Sequence, residues 1–159
     1  MIKPALLALL LLAAAPAAQP GAELEQFFVG RTEGVSTVHV MMSGRHSVRD
    51  RGRGRIDRNG VLILEQVVEE EGKPARNRVW RLARAGPRTL AGTISDARGP
   101  VIGDLSGNTL HLRYRSAEGP SVEQWIMLQP GGRTATNRMV FKRFGVRVAT
   151  LEGVIRRVD

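Results

Sequence analysis

The side chains best suited to hold a small molecule in this chain are aromatic and widely spaced: Trp80, Tyr114, Trp125 and Phe141, with Phe144 a few residues on. Aromatic rings bury large areas, and Tyr and Trp carry a polar tip that needs a partner when buried. Set around an apolar cup, they would take an apolar or amphiphilic ligand such as a lipid, oriented by a few hydrogen bonds from residues such as Asn137 and Arg138. Each aromatic serves equally well as core packing. Asn137 and Arg138 are neighbours, so on a strand they face opposite ways and only one can look inward. Catalytic chemistry finds no comparable set. The chain has no Gly-x-Ser-x-Gly elbow and no phosphate-binding glycine loop. His39, His46 and His111 lack metal-ligand spacing, cysteine is absent, and Glu69-Glu70-Glu71 lacks the fixed offsets of a calcium loop. No catalytic residue, no metal and no cofactor is therefore expected.

Charge suggests a second class of partner. The formal net charge is +9, and Lys3, Lys73 and Lys142 are the only lysines, so arginine carries nearly all of it. Guanidinium groups suit phosphates. In Arg51-Gly52-Arg53-Gly54-Arg55 the arginines recur at every second position, which on a strand lines one face with cations and the other with glycines. The glycines suggest a bent or bulged strand with a basic outer stripe, suited to an anionic membrane surface. An alternative to a ligand-holding barrel is thus a solid one that docks on envelope lipid or a partner protein; an enzyme acting on a bound lipid is a third.

The first residues give an address. Lys3, the apolar run Ala5 to Ala15 and the small residues of Ala15-Pro16-Ala17 read as an export signal spanning residues 1–17, cleaved after Ala17. The run is short for a bilayer span, which takes ~20 apolar residues. Export to the periplasm argues against nucleic acid as a partner. With no cysteine, neither a lipobox anchor nor a disulfide can form. Residues 18–23 read as a short flexible lead-in, and residues 24–159 as one domain.

Beyond Gly30 the pattern alternates. Leu110, Leu112 and Tyr114 face one way and His111, Arg113 and Arg115 the other, while the Val122 to Gln129 segment is apolar on both faces. Turn pairs such as Asn59-Gly60, Gly86-Pro87, Gly99-Pro100 and Gly119-Pro120 punctuate the run. The spacing predicts strands over 36–42, 46–58, 61–70, 75–85, 89–95, 101–106, 109–116, 122–129, 134–143 and 146–158, with a helical turn over 23–29. Ten hairpin-linked strands favour a single all-β domain, an antiparallel up-and-down barrel, because closure removes the sheet edges. A twisted sandwich is the alternative.

Four segments carry a resemblance. Phe27-Phe28-Val29-Gly30-Arg31-Thr32-Glu33-Gly34, then Asn77 to Leu82, then Glu123 to Leu128, then Asn137-Arg138 with Phe144-Gly145-Val146, resemble a bacterial envelope family of unknown function, DUF3833. That resemblance implies a lipocalin-like barrel in the periplasm or at a membrane, and no particular reaction. Phe28, Gly30, Arg31, Thr32, Glu33, Phe144 and Gly145 fall in its signature positions. Arg31 and Glu33 share a face and are expected to close the barrel's end as an ion pair. The sequence departs from the family pattern at Val35, where an aromatic residue is usual, and at Met139, where a short one is, both changes that could reshape a cavity.

Overall fold

The computed structural model describes Ala15 and residues 17–159. The rest of the export signal expected over residues 1–17 lies outside the described residues. One short helix, α1 (Ala22–Phe27), precedes ten strands: β1 (Gly30–Val40), β2 (Gly44–Ile56), β3 (Leu62–Glu70), β4 (Arg76–Gly86), β5 (Thr89–Ile94), β6 (Ala97–Ser106), β7 (Thr109–Ser116), β8 (Ser121–Leu128), β9 (Thr134–Arg143) and β10 (Val146–Arg157). Each strand pairs antiparallel with the next, and β1 also pairs with β10, from Thr32 opposite Arg157 to Val40 opposite Ala149. The result is a closed ten-stranded antiparallel barrel in up-and-down order, as the spacing of strands and turns predicts. Alternation sets its two faces. On β1, Thr32, Ser36 and Val38 point inward while Arg31, Glu33, Val35 and Thr37 are exposed.

One end of the barrel is plugged by α1. Leu24 and Phe27, three residues apart on one helical face, are almost fully buried. Phe28 packs edge-on against Phe27 with ring centroids 5.0 Å apart. Burying each such side chain contributes about 1.5–3 kcal/mol. Polar ties hold the helix in place: Arg84 on β4 donates to both oxygens of Glu25 at 3.0 and 2.6 Å, and Arg157 on β10 donates to the Gln26 carbonyl at 3.3 Å. The helix begins at Ala22, inside the segment expected to be a flexible lead-in.

Three local expectations are corrected. The Gly99-Pro100 pair does not reverse the chain; the β5–β6 turn is at Ser95-Asp96, and Gly99 and Pro100 lie in a register shift within β6. The Arg-Gly repeat is not bulged, since β2 runs in unbroken register with both neighbours. Its glycines allow close approach instead. A Cβ on Gly54 would overlap the Phe28 carbonyl, and one on Gly52 would press on the Thr32 hydroxyl at 2.6 Å. Finally, Arg31 and Glu33 form no ion pair with each other among the described residues. Two residues apart, they run out side by side along the outer wall, so the plug, not a charge pair, closes that end.

Gly54→Ala is expected to destabilise the barrel by about 1–3 kcal/mol, because the helix end must shift to admit a methyl group. Gly86→Ala, whose Cβ would come no nearer than 3.9 Å to Thr89, should stay within about 0.5 kcal/mol. Urea denaturation of the two variants checks the contrast.

Candidate functional site

A cavity of about 530 Å³ runs along the barrel axis and opens at the end opposite α1. Inward alternation places Leu62, Leu64, Leu82, Leu110, Ile126 and Ile155 around its lower part, above Phe28. These walls are apolar and buried. The upper walls are different, because strands that carry apolar residues near the plug carry polar ones at the same parity nearer the mouth.

The polar groups of one wall form a chain across adjacent strands. Gln66 on β3 accepts the indole N–H of Trp80 at 2.7 Å and donates to Asp50 on β2 at 3.2 Å. Asp50 occupies space that Gly34 leaves free, since a Cβ there would overlap its carboxylate. Burial pushes the Asp50 carboxyl above its ordinary range, against the opposing pull of the Arg78 charge and the Gln66 hydrogen bond. Arg78 donates from Nε to both oxygens of Asp96 at 3.0 and 2.9 Å, and its guanidinium lies 5.5 Å from the Trp80 ring centre. Trp80 in turn meets Tyr114 edge-on at 5.8 Å. Burial pushes the Tyr114 hydroxyl to about 12, so it stays protonated and can donate a hydrogen bond throughout the neutral range.

On another wall, Gln124 of β8 donates to Asn137 of β9 at 2.9 Å. Two polar atoms remain unsatisfied beside the cavity. The Tyr114 hydroxyl and the Gln124 carbonyl oxygen are buried with no hydrogen-bond partner among the described residues. Each such orphan costs about 1–3 kcal/mol. At the mouth, Glu70 gathers His46 at 2.7 Å, Lys73 at 3.0 Å and Arg76 at 3.1 Å. Burial disfavours its ionisation, but the hydrogen bonds from Lys73, His46 and Arg76 outweigh that and hold the carboxyl at about 2.

The residues singled out in the sequence divide between the two faces. Trp80, Tyr114, Asn137, Phe141 and Phe28 line the cavity. Trp125 and Arg138 lie outside it: the Trp125 ring stacks on His111 at 4.6 Å, and the Arg138 guanidinium sits 5.7 Å from its centre. Parity decides this, since Gln124 and Asn137 take the inward positions next to them. Phe144 is fully exposed at a hairpin tip with Gly145. Thr32 is buried, whereas Arg31, Glu33 and Val35 face outward; Arg31 offers its backbone N–H to Asp159 at 2.8 Å, beside Gly30. Of the two family departures, Val35 therefore leaves the cavity untouched and Met139 lines it. Sequence reasoning missed Asp50, Gln66, Arg78, Asp96 and Gln124 as a polar lining. A signal existed: Gln66 interrupts Leu62, Leu64 and Val68 at the same parity, and Arg78 shares that of Trp80 and Leu82.

Two acid–base consequences follow. Because its pKa is raised on folding, Asp50 opposes the folded state as pH rises through the folded value. Asp50→Asn is expected to raise the thermal midpoint by roughly 2–5 °C at neutral pH, with the gain vanishing as pH falls to the ordinary carboxylate range. Glu70 has the opposite sign. Between its ordinary 4.5 and about 2, the unfolded chain binds a proton that the folded chain does not, so stability falls as the pH drops through that window. Glu70→Gln should flatten this part of the curve, as read from urea midpoints across the window.

The S-type phycobiliprotein lyase from Guillardia theta superposes with a TM-score of 0.70 at 11% sequence identity, over 88% of this chain and 93% of that one. At that identity the likeness is one of fold. No curated protein matches the sequence significantly. A family described as protein of unknown function, DUF3833, matches residues 11–157, nearly the whole chain and every strand of the barrel, and the chain belongs to that family.

Proposed function

We propose that this protein is an exported binding barrel that holds one amphiphilic molecule, of which a lipid is the natural example. The observation that carries the reading is the cavity itself, about 530 Å³ and open at one end, within the range of roughly 300–1,000 Å³ typical of small-molecule sites. A barrel filled to its axis would have favoured the solid interaction protein. The apolar lower chamber suits a hydrocarbon or ring system. The Tyr114 hydroxyl, a donor, and the Gln124 carbonyl, an acceptor, suit a polar group placed higher, and pairing with it would remove the cost of burying both unsatisfied. A phycobiliprotein lyase shares the architecture, in keeping with a barrel that handles a small molecule. Lys3, the apolar run and Ala15-Pro16-Ala17 support export to the periplasm. Burial raises the pKa of both Asp50 and Tyr114 in the cavity wall, and both are understood as lining of a binding site.

Native mass spectrometry of the protein purified gently from its own compartment should show a mass that is lost on denaturation. A pyrene-labelled fatty acid should enter the same cavity. Ala149→Trp, which places a large ring in the upper cavity wall, should weaken that uptake at least about tenfold. Tyr114→Phe should weaken it about threefold to tenfold with little change in thermal stability, because the hydroxyl completes no hydrogen bond within the fold although the Arg78 guanidinium lies near it. A bare native mass together with no probe uptake would overturn the reading.

A further inference from the structure

The open end of the barrel carries a feature that ligand binding inside the cavity does not explain. Two residues other than glycine adopt positive φ among the described residues, Met42 at 66° and Phe144 at 49°. This is a conformation disfavoured for bulky L side chains, and it marks a site under some other demand. Both residues are large and apolar, and both are fully exposed. They project from neighbouring hairpins at the same end of the barrel. Met42 is in the β1–β2 turn and Phe144 in the β9–β10 turn, and β1 pairs with β10 as far as the bond from the Met41 N–H to the Val148 carbonyl at 2.9 Å. Met41 and Val146 add further exposed apolar surface beside them.

Cations surround this patch. Arg45 follows the first tip, and Arg143 and Arg147 bracket the second. Arg45 and Arg147 take part in no ion pair among the described residues, while Arg143 donates to the Glu118 carbonyl at 3.1 Å. On the β3–β4 hairpin the acids are already engaged, Glu70 by His46, Lys73 and Arg76, and Glu71 by the backbone and hydroxyl of Ser47, while Glu118 in the β7–β8 turn offers its carbonyl to Arg143. Apolar tips flanked by the unpaired Arg45 and Arg147 match the two layers of an anionic bilayer surface, acyl chains below and phosphates above. The outer wall offers no such match, because Arg49, Arg51, Arg53 and Arg55 replace the apolar band that a membrane-crossing barrel presents.

We propose that the β1–β2 and β9–β10 hairpin tips dip into the surface of an anionic phospholipid bilayer, with Met42 and Phe144 inserted and Arg45 and Arg147 on the phosphates, so that the cavity mouth rests against the membrane. Val148 and Arg143, next to these tips, line the cavity, so the docked face and the entrance are contiguous. The inference holds whatever the cavity carries.

The test is flotation of the full chain with vesicles of phosphatidylcholine alone or with about one third phosphatidylglycerol, at low and high salt. The expected result is binding to the anionic vesicles only, weakened by salt. The double variant Met42→Asn with Phe144→Asn should lose binding at least about tenfold while keeping or raising thermal stability, because asparagine tolerates positive φ. Arg45→Gln with Arg147→Gln should also weaken binding about tenfold or more. Equal binding by wild type and both double variants, or no binding by wild type, overturns the proposal. So does a size measurement in which the Met42→Asn and Phe144→Asn changes dissolve a dimer, since the tips would then cover a second copy of this chain. Occupancy of the cavity, read by native mass on the same variants, should be unaffected.

Discussion

Everything inside this barrel depends on the pairing of β1 with β10. That ladder satisfies the backbone groups of what would otherwise be two open edges, and it converts ten sequential hairpins into a ring. Ring size then sets the interior. About eight strands give a bore that side chains can fill; ten give a wider one, and where Gly34, Gly52, Gly54 and Gly153 lack a side chain the space is taken by Asp50, Thr32, the Phe28 carbonyl and Ser36. The space at one end is taken by α1, Phe27 and Phe28. At the other it remains as the cavity.

Closure also explains why the polar lining is organised as it is. Asp50, Gln66 and Arg78 lie on three successive strands, and the bonds of the wall run between strands, Gln66 donating to Asp50 and accepting from Trp80, and Arg78 donating to Asp96. Inside a low-dielectric space such a chain is strong when every member is paired and costly where one is not. Here most members are paired and two are not: the Tyr114 hydroxyl and the Gln124 carbonyl. An apolar lining at those positions would have been more stable. Departures from the most stable choice are expected where a protein binds something.

The outer surface follows different rules. Its arginines are solvated or engaged in exposed ion pairs such as Arg51 with Glu69 at 3.0 Å, which add little stability. His111, Trp125 and Arg138 form a small stack on the outer wall, so an aromatic that looked like a ligand contact is spent on covering the sheet.

How much of this was legible follows from which interactions are local. Alternation of side chains and the angles demanded by turns are set within a few residues, and so the ten strands and the all-β class could be read from the chain, with β7 and β9 exact, although β1 begins at Gly30 rather than Ser36 and β6 at Ala97 rather than Val101. Parity within a strand was also local, and it could have assigned Gln66 and Arg78 to the wall of Trp80. Which of two opposite faces is the inside is not local. For Gln124 against Trp125, or Asn137 against Arg138, that is decided only when the ring closes and one face of every strand loses its water. Likewise, whether Gly99-Pro100 turns or bulges depends on the partner strand β7, and whether Gly54 is required depends on Phe28 arriving from another element. By itself the sequence determined the strands, the turns and the inclination to close, because those rest on short-range sterics and hydrophobic periodicity. The tertiary structure decided the inside face, the plugged end, the cavity and the strained tips at its mouth, because each of these exists only as a relation between residues far apart in the chain.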